Sequence, residues 1–238
     1  GAGIGGEAVL KAARQLKDNI LKIAAIIMQT DINKLDVQND QVIRKDAGEA
    51  ISLKDLAQIV YYRGHELPPG SNPELITTAS FSIQGVPFVF TNSAMGCLVD
   101  VDINTGLTKI EKFWAVEDCG TQINPKLVEE QIKGGIVQGI GGALYEECLY
   151  DDMGNLTNGN MADYLVPMAY EMPDIEVDHV VTNSGRSILG AKGAGEAGTG
   201  GAPAAIMNAI NDAIKPLGAE VNSQPITPEK VLKSLGKV

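Results

Sequence analysis

The sequence is poor in the residues that build autonomous metal, redox and nucleic-acid sites. Among 238 residues there are two histidines, three cysteines and one tryptophan, and aromatics make up 5%. Cys97, Cys119 and Cys148 are an odd number with no CxxC spacing, which excludes a disulfide framework and an iron–sulfur or structural zinc site of the chain's own. His65 and His179 have no second ligand at metal spacing and are expected to play ordinary surface or hydrogen-bonded roles. Basic charge is also scarce: 19 Lys and Arg against 30 Asp and Glu give a formal net charge of −11, which disfavours phosphate backbones and so nucleic acid. No run approaches the ~20 apolar residues that cross a bilayer, so no membrane association is expected. The sequence opens Gly1-Ala2-Gly3 with neither Met nor signal peptide, which suggests a processed or cut start. With free cysteines, a reducing cytoplasm is the expected location.

What is present is a normal globular balance, 44% hydrophobic and 21% charged, with an excess of glycine: 27 residues, and clustered. The length suits one domain or two closely packed ones; we expect a single domain over 1–238 with a possible subdivision near 68–78, where Pro68-Pro69-Gly70-Ser71-Asn72-Pro73 makes a stiff linker. Apolar residues at spacings of three and four predict a helix over Glu7–Met28. A short strand or hairpin is expected near Val42-Ile43, and a second helix over Ser52–Arg63 with Ser52 as cap. Thr77–Ile83 and Val86–Phe90 read as strands, and Met95–Ile103 and Leu107–Glu117 as a hairpin around Asn104-Thr105-Gly106. Asn124-Pro125 opens a long helix expected to reach Cys148, and Asp152–Asn155 forms a turn. A strand over Ile175–Thr182 and helices over Thr199–Lys215 and Pro228–Leu235 complete the chain. Strands and helices without strict alternation mean an α+β fold.

Two glycine clusters are chemically suggestive. Gln131 to Gly142 sets five glycines inside the long helix, each costing about 0.8–1 kcal/mol relative to Ala. Either a tightly packed neighbouring helix or a bulky ligand close to the backbone would offset that. In the ligand reading, Gln131 and Gln138, two turns apart on one face, supply amide donors and acceptors. Gly190 to Gly201 holds six glycines before a helix, a frame for a backbone anion site. Within it Gly193–Gly198 spells GxGxxG, but Glu196 would repel a pyrophosphate and no βαβ unit closes behind the helix, so nucleotide binding is the weaker reading. A structural loop and a cage presenting one carboxylate as a general base both remain open.

Four motifs in order carry a family resemblance over about a hundred residues: Val116-Glu117-Asp118-Cys119-Gly120-Thr121-Gln122-Ile123-Asn124-Pro125, Gln131 through Gly142, Asp163-Tyr164-Leu165-Val166-Pro167, and Gly190 through Glu196. Together they resemble the C-terminal part of the molybdopterin-binding subunit of xanthine dehydrogenase/aldehyde oxidase-type molybdenum hydroxylases, and Gly1–Met28 fits the helix preceding them. The resemblance implies the α+β fold of that molybdopterin-binding domain and a molybdenum hydroxylase, as one chain of a complex. Such an enzyme hydroxylates an N-heterocycle, purine or aldehyde carbon with oxygen from water. It implies Glu196 as the base, and Gln131, Gly134, Gln138, Gly139, Lys192, Gly193, Gly195, Ala2 and Gly3 at the cofactor; an ion-paired or solvated Lys192 is an equal alternative. Molybdenum would be held through the pterin, as molybdopterin or its dinucleotide, with no metal ligand from this chain. The implied partners are a second molybdopterin-binding chain or N-terminal half, a [2Fe–2S] subunit and an FAD subunit, besides the small-molecule substrate. The family's N-terminal half and the Ser-rich cofactor loop ahead of Gly1 are missing, so this chain is expected to be part of a subunit and inactive alone. A non-catalytic assembly module and a nucleotide-binding enzyme are the alternatives. Cys119 is expected to be a small buried residue rather than a nucleophile.

Overall fold

The structure, a computed structural model, describes residues 1–71, 73–83, 85 and 89–238. The chain divides into two compact units, Gly1 with Gly3–Gly85 and Ala2 with Val86–Val238, a boundary beyond the Pro-rich 68–73 stretch. Among the described residues no helix is long and apolar enough to cross a membrane.

In the first unit a π-helical turn (Ala2–Gly6) leads into α1 (Glu7–Ile27), whose apolar stripe places Ile23 and Ala24 in the core. They pack with Leu35, Val42 and Leu56. The expected hairpin is the centre of a three-stranded antiparallel sheet, β1 (Leu35–Gln38), β2 (Gln41–Arg44) and β3 (Ala50–Ser52). Ser52 caps α2 (Leu53–Tyr62) as its side chain anticipates: its Oγ accepts from the Asp55 N–H at 3.0 Å. The strand expected over Thr77–Ile83 does not form. That stretch alternates half-buried and exposed residues, the pattern that suggested a strand, yet it runs antiparallel along α1 and is tied to the helix by single bonds. Asn19 donates to the Glu74 carbonyl (3.2 Å), the Thr77 hydroxyl to the Ala12 carbonyl (3.0 Å) and Lys11 to the Ser80 carbonyl (3.4 Å). Period-two burial can thus be satisfied against a helix without a ladder. Of the second expected strand, Val86, Pro87 and Phe88 lie outside the described residues.

The second unit is a three-stranded mixed sheet with two helices on one face. β4 (Asn92–Val101) and β5 (Thr108–Asp118) pair antiparallel from Asn92↔Asp118 to Val101↔Thr108, and β6 (Asp174–His179) lies parallel to β5. Asp102 shapes the hairpin turn by accepting from the Asn104 N–H (2.8 Å) and the Thr105 hydroxyl (2.8 Å). Asn124 caps α3 (Pro125–Leu144), its side chain accepting from the Leu127 N–H. The helix ends short of Cys148, because both Tyr145 and Glu146 turn their N–H groups back to the Gly141 carbonyl. α4 (Ala197–Ile214) and α5 (Pro228–Ser234) match the sequence expectation within two residues at each end. Ile132, Ile136 and Ile140 of α3 and Ile206, Ile210 and Ile214 of α4 recur one turn apart and are all fully buried, packed with Phe113 of β5. Each such side chain contributes about 1.5–3 kcal/mol. This is the rigid platform under the glycine loop.

Candidate active site

The two glycine clusters meet where α3 crosses the start of α4, and the structure sorts their glycines one by one. A Cβ on Gly198 would lie 2.2 Å from the Ile132 carbonyl oxygen, one on Gly135 3.1 Å from Gly198 Cα, and one on Gly139 2.7 Å from Ala202 Cβ. These three exist for close helix packing. Gly139, expected at a cofactor, instead faces α4 and is buried. Gly134, Gly193 and Gly195 are different: nothing stands within 4 Å of the position a Cβ would take. Within α3, close helix packing therefore accounts for Gly135 and Gly139 and does not account for Gly134.

Two glutamines stitch α3 to the loop. Gln131 Nε2 donates to the Gly195 carbonyl at 2.9 Å. The Thr199 hydroxyl lies 3.0 Å from the Gly135 carbonyl and 3.3 Å from Gln138 Oε1, which leaves the Gln138 amide nitrogen without a partner among the described residues. Both glutamines are exposed. Glu196, at the N-cap position of α4, is exposed too; its carboxylate makes no cap bond and no ion pair among the described residues. Gln131, Gly134, Gln138, Gly193, Gly195 and Glu196 thus form one lip of bare backbone, amide groups and a single free carboxylate.

Lys192 points the other way. Its ammonium is 2.8 Å from Asp118 Oδ2, with side-chain exposures of 8% and 11%, and it also donates to Thr182 Oγ1 at 2.6 Å. The ion-paired alternative for this lysine is the one observed. Lys192 and the Thr182 hydroxyl, with the N–H groups of Thr182 and Gly120, hold the Asp118 carboxyl far below the usual carboxylate range. Asp118 and Thr182 were given no role from sequence. Asp118 lies inside the Val116–Pro125 motif, but only folding shows that its partner is 74 residues away. Gly120, at φ +64°, brings the chain so close to the Gly190 carbonyl that a Cβ would sit 2.2 Å from that oxygen. Cys119 is buried, and desolvation pushes its thiol up, which fits a structural role. Ala2 and Gly3 lie in the π-helical turn at the start of the chain. Among the described residues no cluster of His, Cys, Asp and Glu could hold a metal ion directly. No strand follows α4 among the described residues, so the GxGxxG run lacks the βαβ frame a dinucleotide site needs.

Residues 1–173 match the molybdopterin cofactor-binding domain family. The chain belongs to that family. This molybdopterin cofactor-binding domain is 37% identical over 232 residues to the nicotine 6-hydroxylase large subunit of Paenarthrobacter nicotinovorans, covering 97% of this chain and 28% of that one. It is 34% identical to the carbon monoxide dehydrogenase large chain of Hydrogenophaga pseudoflava, covering 98% of this chain and 28% of that protein. Among solved structures it superposes on quinoline 2-oxidoreductase from Pseudomonas putida 86 with a TM-score of 0.82 at 33% identity, over 95% of this chain and 29% of that one. A structure of Cu,Mo-CO dehydrogenase gives a TM-score of 0.81 at 32% identity, over 98% of this chain and 29% of that one. The α+β fold is thus the one found in both of these structures. The domain spans less than a third of the length of the relatives it matches. The family match ends at residue 173, ahead of the loop that carries Glu196.

Proposed function

We propose that this domain forms one wall of the molybdopterin site of a molybdenum hydroxylase, with Glu196 as the general base. The observation that carries this is a carboxylate with no cap bond or ion pair among the described residues, beside three glycines, Gly134, Gly193 and Gly195, whose Cβ directions are open. A flat, polar pterin is the kind of group such a lip fits: bare backbone permits close approach, and the free amide nitrogen of Gln138 and the Oε1 of Gln131 offer a donor and an acceptor. When bound, the cofactor supplies the two-electron redox chemistry and an oxygen that originates in water. The chain's own residues do the rest. Gln138 binds and orients the pterin edge. Gln131, through its bond to Gly195, holds the loop against α3 and turns its remaining acceptor outward. Glu196 takes up the proton that is released as oxygen is transferred to an electron-poor carbon. The closely packed Gly135, Gly139 and Gly198 keep the lip rigid. Ala2 and Gly3 are proposed as further cofactor contacts on the family resemblance alone.

We assign the substrate to the class of N-heterocycles, purines or aldehydes; two of the relatives are named for nicotine and quinoline, both aromatic nitrogen heterocycles. Electrons would leave to [2Fe–2S] and FAD groups on partner chains, and a second molybdopterin-binding portion would complete the site. Support for such partners comes from the irregular stretch 149–170, which leaves Tyr150, Met153, Met161, Leu165, Met168 and Tyr170 exposed. The test is Glu196→Gln in the full-length protein with its partner chains. We expect molybdenum and pterin content to be retained and single-turnover reduction by substrate to fall at least ~100-fold. Near-normal reduction by a fully loaded variant would remove Glu196 from the reaction.

A further inference from the structure

Four donors converge on one buried carboxylate behind the glycine loop. Asp118 Oδ1 accepts from the N–H groups of Gly120 (3.0 Å) and Thr182 (3.1 Å), and Oδ2 accepts from Lys192 Nζ (2.8 Å) and the Thr182 hydroxyl. The three donor residues lie on different stretches of chain: the turn after β5, the stretch after β6 and the loop leading to Glu196. Backbone bonds reinforce the junction. Lys192 N–H donates to the Cys119 carbonyl at 2.7 Å, and the Gly190 carbonyl accepts from Thr121 and Ser184. From Gly193 to Glu196, by contrast, the loop has little to fix it. Gly193 and Gly195 have no side chain, and the Glu196 carboxylate makes no cap bond and no ion pair among the described residues. The side-chain bonds that hold the loop lie at its two ends, Lys192 on Asp118 and Gln131 on the Gly195 carbonyl; between them the Ala194 carbonyl accepts from the Ala197 N–H at 3.4 Å.

We propose that Asp118 and Lys192 are positioning residues for the Glu196 base, an ion pair that anchors the loop to the end of the central strand and so sets where the carboxylate stands. The inference rests on the reading of Glu196 as base. Desolvating two charges is costly, and a buried pair is weak grounds for stability by itself. What this one does is fix three segments in a single register. A displacement of about 1 Å in a catalytic group can lower a rate by about 100-fold.

The experiment is Lys192→Met in the full-length protein with its partner chains, where Asp118 keeps three of its four donors, with the fold checked by circular dichroism on the same sample. We expect unchanged molybdenum and pterin content and unchanged KM, with kcat lowered ~10–100-fold. Amide exchange at residues 193–196 should be at least ~10-fold faster while the β4–β5 ladder is unaffected. Lys192→Arg, which keeps the charge, should restore kcat to within a few-fold. Asp118→Asn combined with Lys192→Met should lose no more than the worse single variant, because both act through one contact. Should Lys192→Met fail to load cofactor, Thr182→Val, which removes only the hydroxyl bridging the pair, is expected to raise the same exchange rates and lower kcat at constant KM. Unchanged exchange and unchanged kcat in a loaded variant, with Glu196→Gln inactive, overturn the anchor and leave the base standing. Normal turnover by Glu196→Gln overturns both.

Discussion

Gly134 and Gly198 make the same chemical change, to alanine, into opposite experiments. At Gly198 the new Cβ would stand 2.2 Å from the Ile132 carbonyl oxygen and 2.8 Å from the Ile136 nitrogen, both backbone atoms that cannot rotate away. Restoring ordinary contact requires α3 and α4 to separate by about 1 Å. Overpacking of this kind costs about 1–3 kcal/mol, against a helix-propensity gain of at most ~1 kcal/mol. A net loss near 1.4 kcal/mol would speed sub-global amide exchange in α3 and α4 about tenfold. At Gly134 nothing stands within 4 Å, so alanine contributes about 0.5–1 kcal/mol to the helix, and exchange in α3 should slow a few-fold. The same methyl would occupy the open face assigned to the pterin, so cofactor content of the full-length protein should drop although the fold is firmer. The assay is hydrogen exchange by peptide for 132–144 alongside pterin and molybdenum released from the same sample. Full cofactor loading in Gly134→Ala would refute the assignment of that face. Slower exchange in Gly198→Ala would refute the packing account of its neighbour.

Two further outcomes follow from the same geometry. Gln138→Ala removes the amide whose nitrogen is free and little core volume, so cofactor occupancy or turnover should fall while thermal stability stays within ~0.5 kcal/mol; full molybdenum content with full rate would show that the pterin lies elsewhere. Glu117 is fully buried, and desolvation, partly offset by the Ser93 hydroxyl beside it, raises its pKa to about 7. An unfolded Glu ionises near ~4.3, so stability from this site is complete below about pH 4, declines as pH rises through the folded value, and is lower by ~3 kcal/mol above it. Glu117→Gln should therefore match the parent in urea unfolding at pH 4 and exceed it at pH 8, and equal stability at both would refute a neutral buried acid.

Much of this was written in local chemistry. The period of the apolar residues is enough for α1, and the caps Ser52 and Asn124 need only a side-chain oxygen next to the first turn, so the starts of α2 and α3 could be read directly. The motif order pointed to the family, and Glu196 stands out because it is the one carboxylate in a run of glycines. Tertiary structure decided what local rules cannot. Period-two burial in 77–83 does not say whether a strand or a helix lies alongside, and here it was α1. A glycine's missing side chain is silent about the reason, and only the α3–α4 crossing separates Gly135, Gly139 and Gly198, which admit a neighbour, from Gly134, beside which no described residue stands within 4 Å. Lys192 reads from sequence as a cation beside a base; its partner, Asp118, is brought to it by the end of β5, and a buried ion pair is a property of two distant segments that no single stretch of sequence contains.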